Sequence, residues 1–184
     1  GQQADLLESR AQLDATMSEM DREVATRFMK TFEEVSTAFS ATFKQIFAGG
    51  SAKLVLTEPD APLITGVDII AQPPGKRNQN LSLLSGGEQA LTAITLLFAI
   101  IQVRPVPFAI LDEPEAALDA VNVDRFANYL SHFGDDGPQF IVITHRKGTM
   151  MNANILYGVT MQESGVSRMV AVDIDETLGQ HQAE

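Results

Sequence analysis

Apolar side chains recur at steps of three and four through residues 1–48, a spacing that places them on one stripe of an α-helix. Charged residues fill the other positions, and no proline interrupts the run before Gly49-Gly50 ends it. Such a helix would be about 70 Å long, more than one small domain accommodates. The pattern therefore favours the end of a coiled-coil arm entering a head over a long surface helix packed on its own core. The stripe consists of Leu6, Leu13, Met17, Met20, Val24, Phe28, Phe32, Val35, Phe39, Phe43 and Ile46.

Two strand-like segments follow, at residues 53–57 and 67–71, with a proline-containing turn between them. Gly75-Lys76 is not a phosphate-binding loop, because no glycine lies five residues earlier and Arg77 stands where Ser or Thr is needed. The whole sequence contains no G-x-x-x-x-G-K-[ST]. Lys76 and Arg77 are therefore interpreted as a solvated loop, with contact to DNA or nucleotide as the alternative.

From residue 85 the pattern becomes that of an α/β fold. Two apolar runs, 108–111 and 140–143, are typical of buried strands in a parallel sheet. We predict mainly parallel strands flanked by helices, with a small antiparallel hairpin near the end. The predicted division is a neck helix over 1–48, an α/β lobe over 49–176 and a disordered polar tail over 177–184. The remaining predicted elements are helices at 87–102 and 121–133, a loop at 134–138 and hairpin strands at 155–161 and 168–174.

Polar residues follow both apolar strands. Asp112-Glu113 comes after the first and Thr144-His145 after the second, so both sets should lie at one edge of the sheet. The first carboxylate suits Mg²⁺, the second suits a general base, and the histidine suits a γ-phosphate contact. The alternatives are acids that complement a helix dipole and a structural histidine.

Ser85-Gly86-Gly87 immediately precedes a strongly apolar helix. A serine hydroxyl and free backbone N–H groups at a helix N-terminus bind anions, and glycine lets a phosphate approach the backbone closely. The alternative is that Ser85 is only an N-cap, with the glycines in a turn.

Composition bears on which ligands and partners the chain can bind. The net charge of −11 argues against a general nucleic-acid-binding surface on this chain alone. The absence of cysteine excludes disulfides and thiolate metal sites. The longest apolar stretch, from about 90 to 103, is shorter than the roughly 20 residues that span a bilayer, so no membrane partner is expected. No signal peptide is visible at residues 1–10.

Four segments in one order carry a resemblance to the ABC-type ATPases, and all lie within residues 81–145. Leu81–Gln89 resembles the signature loop, and Phe108–Pro114 resembles Walker B. Ala117-Leu118-Asp119 resembles the D-loop, and Ile143-Thr144-His145 resembles the switch-histidine segment. The resemblance implies the C-terminal lobe of an ABC-type ATPase head.

The sequence as a whole resembles the C-terminal head segment of a bacterial SMC (structural maintenance of chromosomes, condensin-type) protein. In that family a long coiled coil separates the Walker A half from the signature half. Gln89 departs from a basic residue expected in many such heads, and Pro114 gives Walker B a more transporter-like ending. Further similar segments are 47–50, 65–69, 73–76, 115–119 with Asn122, and 157–161.

The resemblance implies that two heads engage with ATP between them. Ser85 and Gly87 would contact the γ-phosphate held by the opposite head's Walker A, within a loop that also includes Gly86, Glu88 and Gln89. Asp119 would communicate across the dimer.

The catalytic roles implied by the resemblance fall at the two strand ends. Asp112 would serve Mg²⁺, Glu113 would activate water, and His145 would assist in the head that holds the nucleotide. Without Walker A, the chain alone is expected to be inactive.

The implied partners are an N-terminal SMC head lobe, a second SMC head in a homodimer, a kleisin subunit, and DNA through the assembled complex. The kleisin's winged-helix domain would dock on the outer cap of a head, to which the tail hairpin contributes; the alternative for this hairpin is an ordinary sheet edge. The implied function is chromosome condensation and segregation in the cytoplasm, at the nucleoid. Two alternatives stay open: another coiled-coil ABC ATPase acting in double-strand-break repair, and a non-catalytic partner-binding half-domain.

Overall fold

A single long helix, α1 (Gln2–Ile46), opens the fold. The structure is a computed structural model that describes residues 2–133 and 137–173. Neither glycine nor proline occurs within α1, so nothing in its sequence breaks the hydrogen-bonded ladder. The predicted helix is confirmed, and it ends within two residues of its expected boundary.

The apolar stripe of α1 has two different environments. Phe39 and Phe43 are fully buried, and the Phe43 ring stacks on Phe47 with centroids 4.1 Å apart. Met17 and Met20, by contrast, are more than half exposed. The C-terminal part of the helix is therefore anchored in a core, whereas the N-terminal part has a bare apolar seam.

Three successive residues with positive φ end the helix: Ala48, Gly49 and Gly50. The N–H of Gly49 donates to the carbonyl of Lys44 (2.9 Å), which caps the last turn. A Cβ on Gly50 would lie 2.2 Å from the carbonyl oxygen of Gln72, so only glycine fits this close approach. The helix is thereby joined tightly to the sheet that follows.

That sheet is antiparallel, with the order β1-β2-β3. It consists of β1 (Ser51–Leu56), β2 (Val67–Gln72) and the two-residue β3 (Gln79–Asn80). A 3₁₀ turn at Leu81–Leu83 leads to the next helix. Neither β3 nor this turn was predicted, because both are too short to show periodicity.

Helix α2 (Gly86–Val103), strongly apolar in sequence, is buried on one face only. Leu91 and Phe98 are fully buried, but Leu97 and Ile100 are 40% and 44% exposed. By length and mean hydropathy α2 alone among the described helices could cross a membrane. Its buried side chains favour a core helix.

The second half of the fold is a β-α-β unit. Strands β4 (Phe108–Asp112) and β5 (Gln139–Ile143) are parallel, with Ile110 opposite Ile141, and helix α3 (Ala120–Phe133) connects them. The rings of Phe133 and Phe140 pack edge to face at 5.5 Å, which holds α3 against β5. A short helix, α4 (Lys147–Met150), follows.

The predicted hairpin is present as β6 (Ile155–Glu163) and β7 (Val166–Asp173), which turn at Gly165 with φ 83°. The α/β class is confirmed, but the expectation of mainly parallel strands is wrong for the part of the chain described. Among the described strands only β4 and β5 pair in parallel, and helix α3 between them supplies the crossover that parallel pairing requires.

The chain forms two compact units. One comprises the residues up to 85 together with Thr92–Pro105, and the other comprises Gly86–Leu91 together with the residues from 106 onward. The predicted division at 48 and 176 stays a prediction. The polar tail 177–184, residue 174 of the second hairpin strand, and residues 134–136 of the predicted loop lie outside the described residues.

Candidate functional site

The carboxyl ends of β4 and β5 lie side by side. Asp112 is opposite Ile143, and the N–H of Glu113 donates to the carbonyl of Ile143 (2.9 Å). Glu113, one residue beyond Asp112, and His145, two residues beyond Ile143, lie at the same edge. Two segments more than 30 residues apart in sequence therefore present their polar side chains together.

Glu113 and His145 are in direct contact. The Nδ1 atom of His145 lies 3.2 Å from Oε1 of Glu113, and both side chains are more than half exposed. Glu113 has a φ of 44°, in the left-handed region that few non-glycine residues adopt. Such strained residues concentrate at functional sites. A carboxylate and an imidazole in contact can together orient a water molecule bound beside them. The predicted roles of both residues stay predictions.

Asp112 fits the predicted metal role in one respect. Its exposed carboxylate at a strand end is the hard oxygen ligand that Mg²⁺ prefers. Within the described residues no cluster of three or more His, Asp or Glu side chains could hold a metal ion. A magnesium ion here would thus depend on one carboxylate together with phosphate oxygens and water, which is a usual Mg²⁺ environment.

Helix α2 begins at the predicted anion-binding residues. Ser85 directly precedes the helix, and Ser85 and Gly86 are both exposed. Glu88 and Gln89 lie in the first turn, where they are partly buried. The N-terminal N–H groups of a helix carry partial positive charge, so this end of α2 is compatible with an anion.

The two glycines of this loop differ in their surroundings. A Cβ on Gly86 would meet no atom within 4 Å, whereas one on Gly87 would lie 3.0 Å from Oδ2 of Asp119 and 3.4 Å from Nδ2 of Asn122. Gly87 therefore allows the start of α2 to pack closely on the segment that resembles the D-loop.

Asp119 caps helix α3. Its Oδ1 accepts from the N–H of Asn122 (3.0 Å) and its Oδ2 accepts from Nδ2 of Asn122 (3.1 Å). Nη1 of Arg125 in turn donates to Oδ1 of Asn122 (3.1 Å). The proposed communicating aspartate thus has a structural role within its own chain, which its sequence position did not reveal.

Sequence reasoning missed Glu115. This side chain is only 1% exposed, and its Oε1 accepts hydrogen bonds from the hydroxyls of Thr144 and Thr149. An acid two residues after Glu113, in a turn, is usually solvated, and no local pattern identifies its distant threonine partners. Only a buried contact across the fold distinguishes it.

One face of the parallel pair is bare. Phe108, Ile110, Ile141 and Ile143 are 45–59% exposed and share that face. The prediction that both strands are buried is therefore wrong within the described residues. Parallel strands are normally covered on both faces, so the exposed side chains mark a missing layer.

Comparison with known proteins gives consistent matches. Residues 8–168 match the family described as "RecF/RecN/SMC N terminal domain". The chromosome partition protein Smc of Lactiplantibacillus plantarum is 62% identical over 173 residues, which cover 94% of this chain. The chain spans 14% of that relative's length.

Solved structures are also similar. A Smc head domain with an extended coiled coil, bound to the C-terminal domain of ScpA and derived from Pyrococcus furiosus, superposes with a TM-score of 0.78 at 37% identity. The match covers 97% of this chain and 46% of that one. A chain from work on ATP-driven dimerization and DNA-stimulated activation of SMC ATPases superposes with a TM-score of 0.74 at 38% identity. That match covers 86% of this chain and 96% of the other.

Proposed function

The chain belongs to the RecF/RecN/SMC family, and from this premise we propose that it is the C-terminal half of an SMC ATPase head. The matched family profile is described as an N-terminal domain, so the assignment to the C-terminal half rests on other grounds. These grounds are the order of the motifs and the absence of a phosphate-binding loop from the sequence. The match to 46% of a solved head chain supports a half-head.

The observation that carries the proposal is the Glu113–His145 contact at the end of two parallel strands. A carboxylate and an imidazole in contact there can orient and deprotonate an attacking water, with Glu113 as general base and His145 beside it. Asp112 would hold Mg²⁺, which neutralises phosphate charge when bound. The nucleotide itself would be held by the Walker A loop of another polypeptide segment.

The bare face of β4 and β5 supports the presence of that segment. Covering Phe108, Ile110 and their neighbours with an N-terminal lobe would supply the second layer that a parallel sheet requires. The same lobe would bring its phosphate-binding loop to the proposed nucleotide site. The chain then contributes half of one site through Glu113.

A second head is required for the loop at the start of α2 to act. The exposed start of α2, with Ser85, Gly86 and Gly87, would bind the γ-phosphate of nucleotide held by the opposite head. Similarity to SMC ATPases studied for ATP-driven dimerization supports this homodimer. Asp119, which packs on Gly87, would communicate across it.

The assembled protein would act in chromosome condensation and segregation, in the cytoplasm at the nucleoid. The 62% identical relative is a chromosome partition protein, which favours this role over double-strand-break repair. Similarity to a Smc head bound to ScpA supports a kleisin partner for this chain. DNA would be contacted through the complex, since the chain itself carries a net charge of −11.

Reconstitution tests the proposal. We expect no ATP hydrolysis from this chain alone, and turnover once a polypeptide with G-x-x-x-x-G-K-[ST] is co-expressed and co-purifies with it. Glu113→Gln should reduce kcat by roughly 100-fold or more while ATP binding persists. Turnover that survives Glu113→Gln would contradict the general-base role, and failure of any such polypeptide to co-purify would contradict the half-head.

A second variant tests the role of the Ser85 loop separately from that of Glu113. Ser85→Arg should block ATP-dependent head dimerisation through bulk at the exposed loop, while ATP binding by the N-terminal lobe is retained. Size-exclusion chromatography with ATP measures dimerisation, and equilibrium dialysis measures binding. Loss of ATP binding in Ser85→Arg would contradict the proposal that this loop acts on nucleotide held by the opposite head.

A further inference from the structure

Glu115 is a buried carboxylate in the turn between β4 and α3. The turn is held by backbone hydrogen bonds from Ala116 to Glu113 (3.0 Å) and from Leu118 to Glu115 (3.0 Å). The side chain is 1% exposed, although a carboxylate is normally solvated. Its burial therefore needs an explanation beyond the turn itself.

The partners of Glu115 lie on both sides of His145. Its Oε1 accepts from the hydroxyl of Thr144, the residue before His145, and from the hydroxyl of Thr149 on α4 (2.9 Å). The hydroxyl oxygen of Thr144 accepts from the N–H of Arg146, the residue after His145 (2.9 Å). Glu115 is thus connected, through one hydroxyl, to the backbone that carries the imidazole.

Stability alone does not account for this network. Among the described residues, Oε2 of Glu115 is buried without a hydrogen-bond partner. A buried polar atom left unsatisfied destabilises the folded state, and an apolar residue of similar size would avoid that cost. The carboxylate is better explained by what its other oxygen holds in place.

We propose that Glu115 is a positioning residue that fixes the Thr144–Arg146 backbone and thereby keeps the His145 ring against Glu113. The inference rests on the proposed function of Glu113 and His145. Two carboxylates of one turn then hold His145 from two directions: Glu113 contacts the ring, and Glu115 holds the preceding residue. The turn after β4 and the segment after β5 are thus linked by two side-chain contacts, one to Thr144 and one to His145.

A pair of matched threonine variants tests the coupling in the assembled head. Thr144 and Thr149 donate to the same oxygen, but only Thr144 adjoins His145. Thr144→Val should lower kcat by roughly 10- to 100-fold with little change in KM for ATP, because the imidazole is misplaced. Thr149→Val should lower the thermal midpoint similarly but reduce kcat far less, and Thr144→Ser should restore turnover. Equal losses of kcat in the two valine variants would overturn the proposal.

A double-mutant cycle identifies the residue through which Glu115 acts. Glu115→Gln should lower kcat by roughly tenfold when His145 is present and have no further effect in His145→Ala, because coupled residues are not additive. An equal loss in both backgrounds would show a merely structural role and overturn the inference while the proposed function stands. If His145→Ala alone leaves kcat unchanged, the proposed role of His145 fails as well, whereas the Glu113→Gln result still reports on the general base.

Discussion

Gly86 and Gly87 are neighbours in sequence, yet a side chain would meet different surroundings at each. At Gly86 there is open space, and at Gly87 there are the carboxylate of Asp119 and the amide of Asn122. The tight contact joins the N-terminal end of α2 to the cap of α3. A single methyl group is thus enough to distinguish the two positions.

We expect Gly87→Ala to be less stable than Gly86→Ala. Both variants gain helix propensity, but the new Cβ at Gly87 displaces Oδ2 of Asp119 and weakens its bond from Asn122. The difference should be about 1 kcal/mol, which corresponds to about 1–2 °C in the thermal midpoint of the assembled head. Equal midpoints in the two variants, measured by differential scanning fluorimetry, would show that the contact has no energetic weight.

Specific residues determine where two of the helices begin or end. Helix α1 ends where Ala48, Gly49 and Gly50 adopt positive φ, and α3 begins where Asp119 accepts from Asn122. An N-cap carboxylate of this kind typically contributes about 1 kcal/mol. We propose a second role for the same carboxylate, communication between heads, so capping and communication need separate measurements.

Asp119→Asn and Asp119→Ala separate capping from communication. Asparagine caps a helix about as well as aspartate, so Asp119→Asn should keep the thermal midpoint of the assembled head, whereas Asp119→Ala should lower it by about 1–2 °C. If the negative charge serves the dimer, both variants should show reduced ATP turnover. Full turnover in Asp119→Asn would limit the residue to its capping role.

The elements with strong periodicity could be predicted from sequence, and those with long-range causes could not. The stripe from Leu13 to Ile46 identifies α1, and the apolar run before Asp112 identifies β4. The four-residue α4 is too short for a periodic pattern. The burial of Glu115 depends on two threonines about 30 residues away, a contact that no local window contains.

At the scale of the whole molecule, strands β4 and β5 lack a covering layer on one face within the described part of the chain. That bare face was invisible to sequence reasoning, because an apolar run indicates burial without showing which polypeptide covers it. The four exposed side chains on that face would be unfavourable in water. Assembly with another lobe would remove them from solvent and stabilise the chain by mass action.

We expect Ile110→Asp to weaken binding of the N-terminal lobe by roughly tenfold or more, because it would bury an unpaired carboxylate. Val121→Asp is the matched control, since Val121 is similarly exposed (61% against 59%) but lies on α3. Biolayer interferometry with the purified lobe measures both affinities. Equal affinities of the two variants would place the lobe elsewhere.

The tight joint at Gly50 also has a mechanical consequence. Helix α1 is unbroken and rooted at its end by Phe39, Phe43 and Gly50, so it can serve as a lever with its pivot at the sheet. For an arm of about 70 Å, a rotation of about 5° at the root displaces the far tip by about 6 Å. Movements at the base too small to disturb the core packing would therefore become movements larger than a helical turn at the tip.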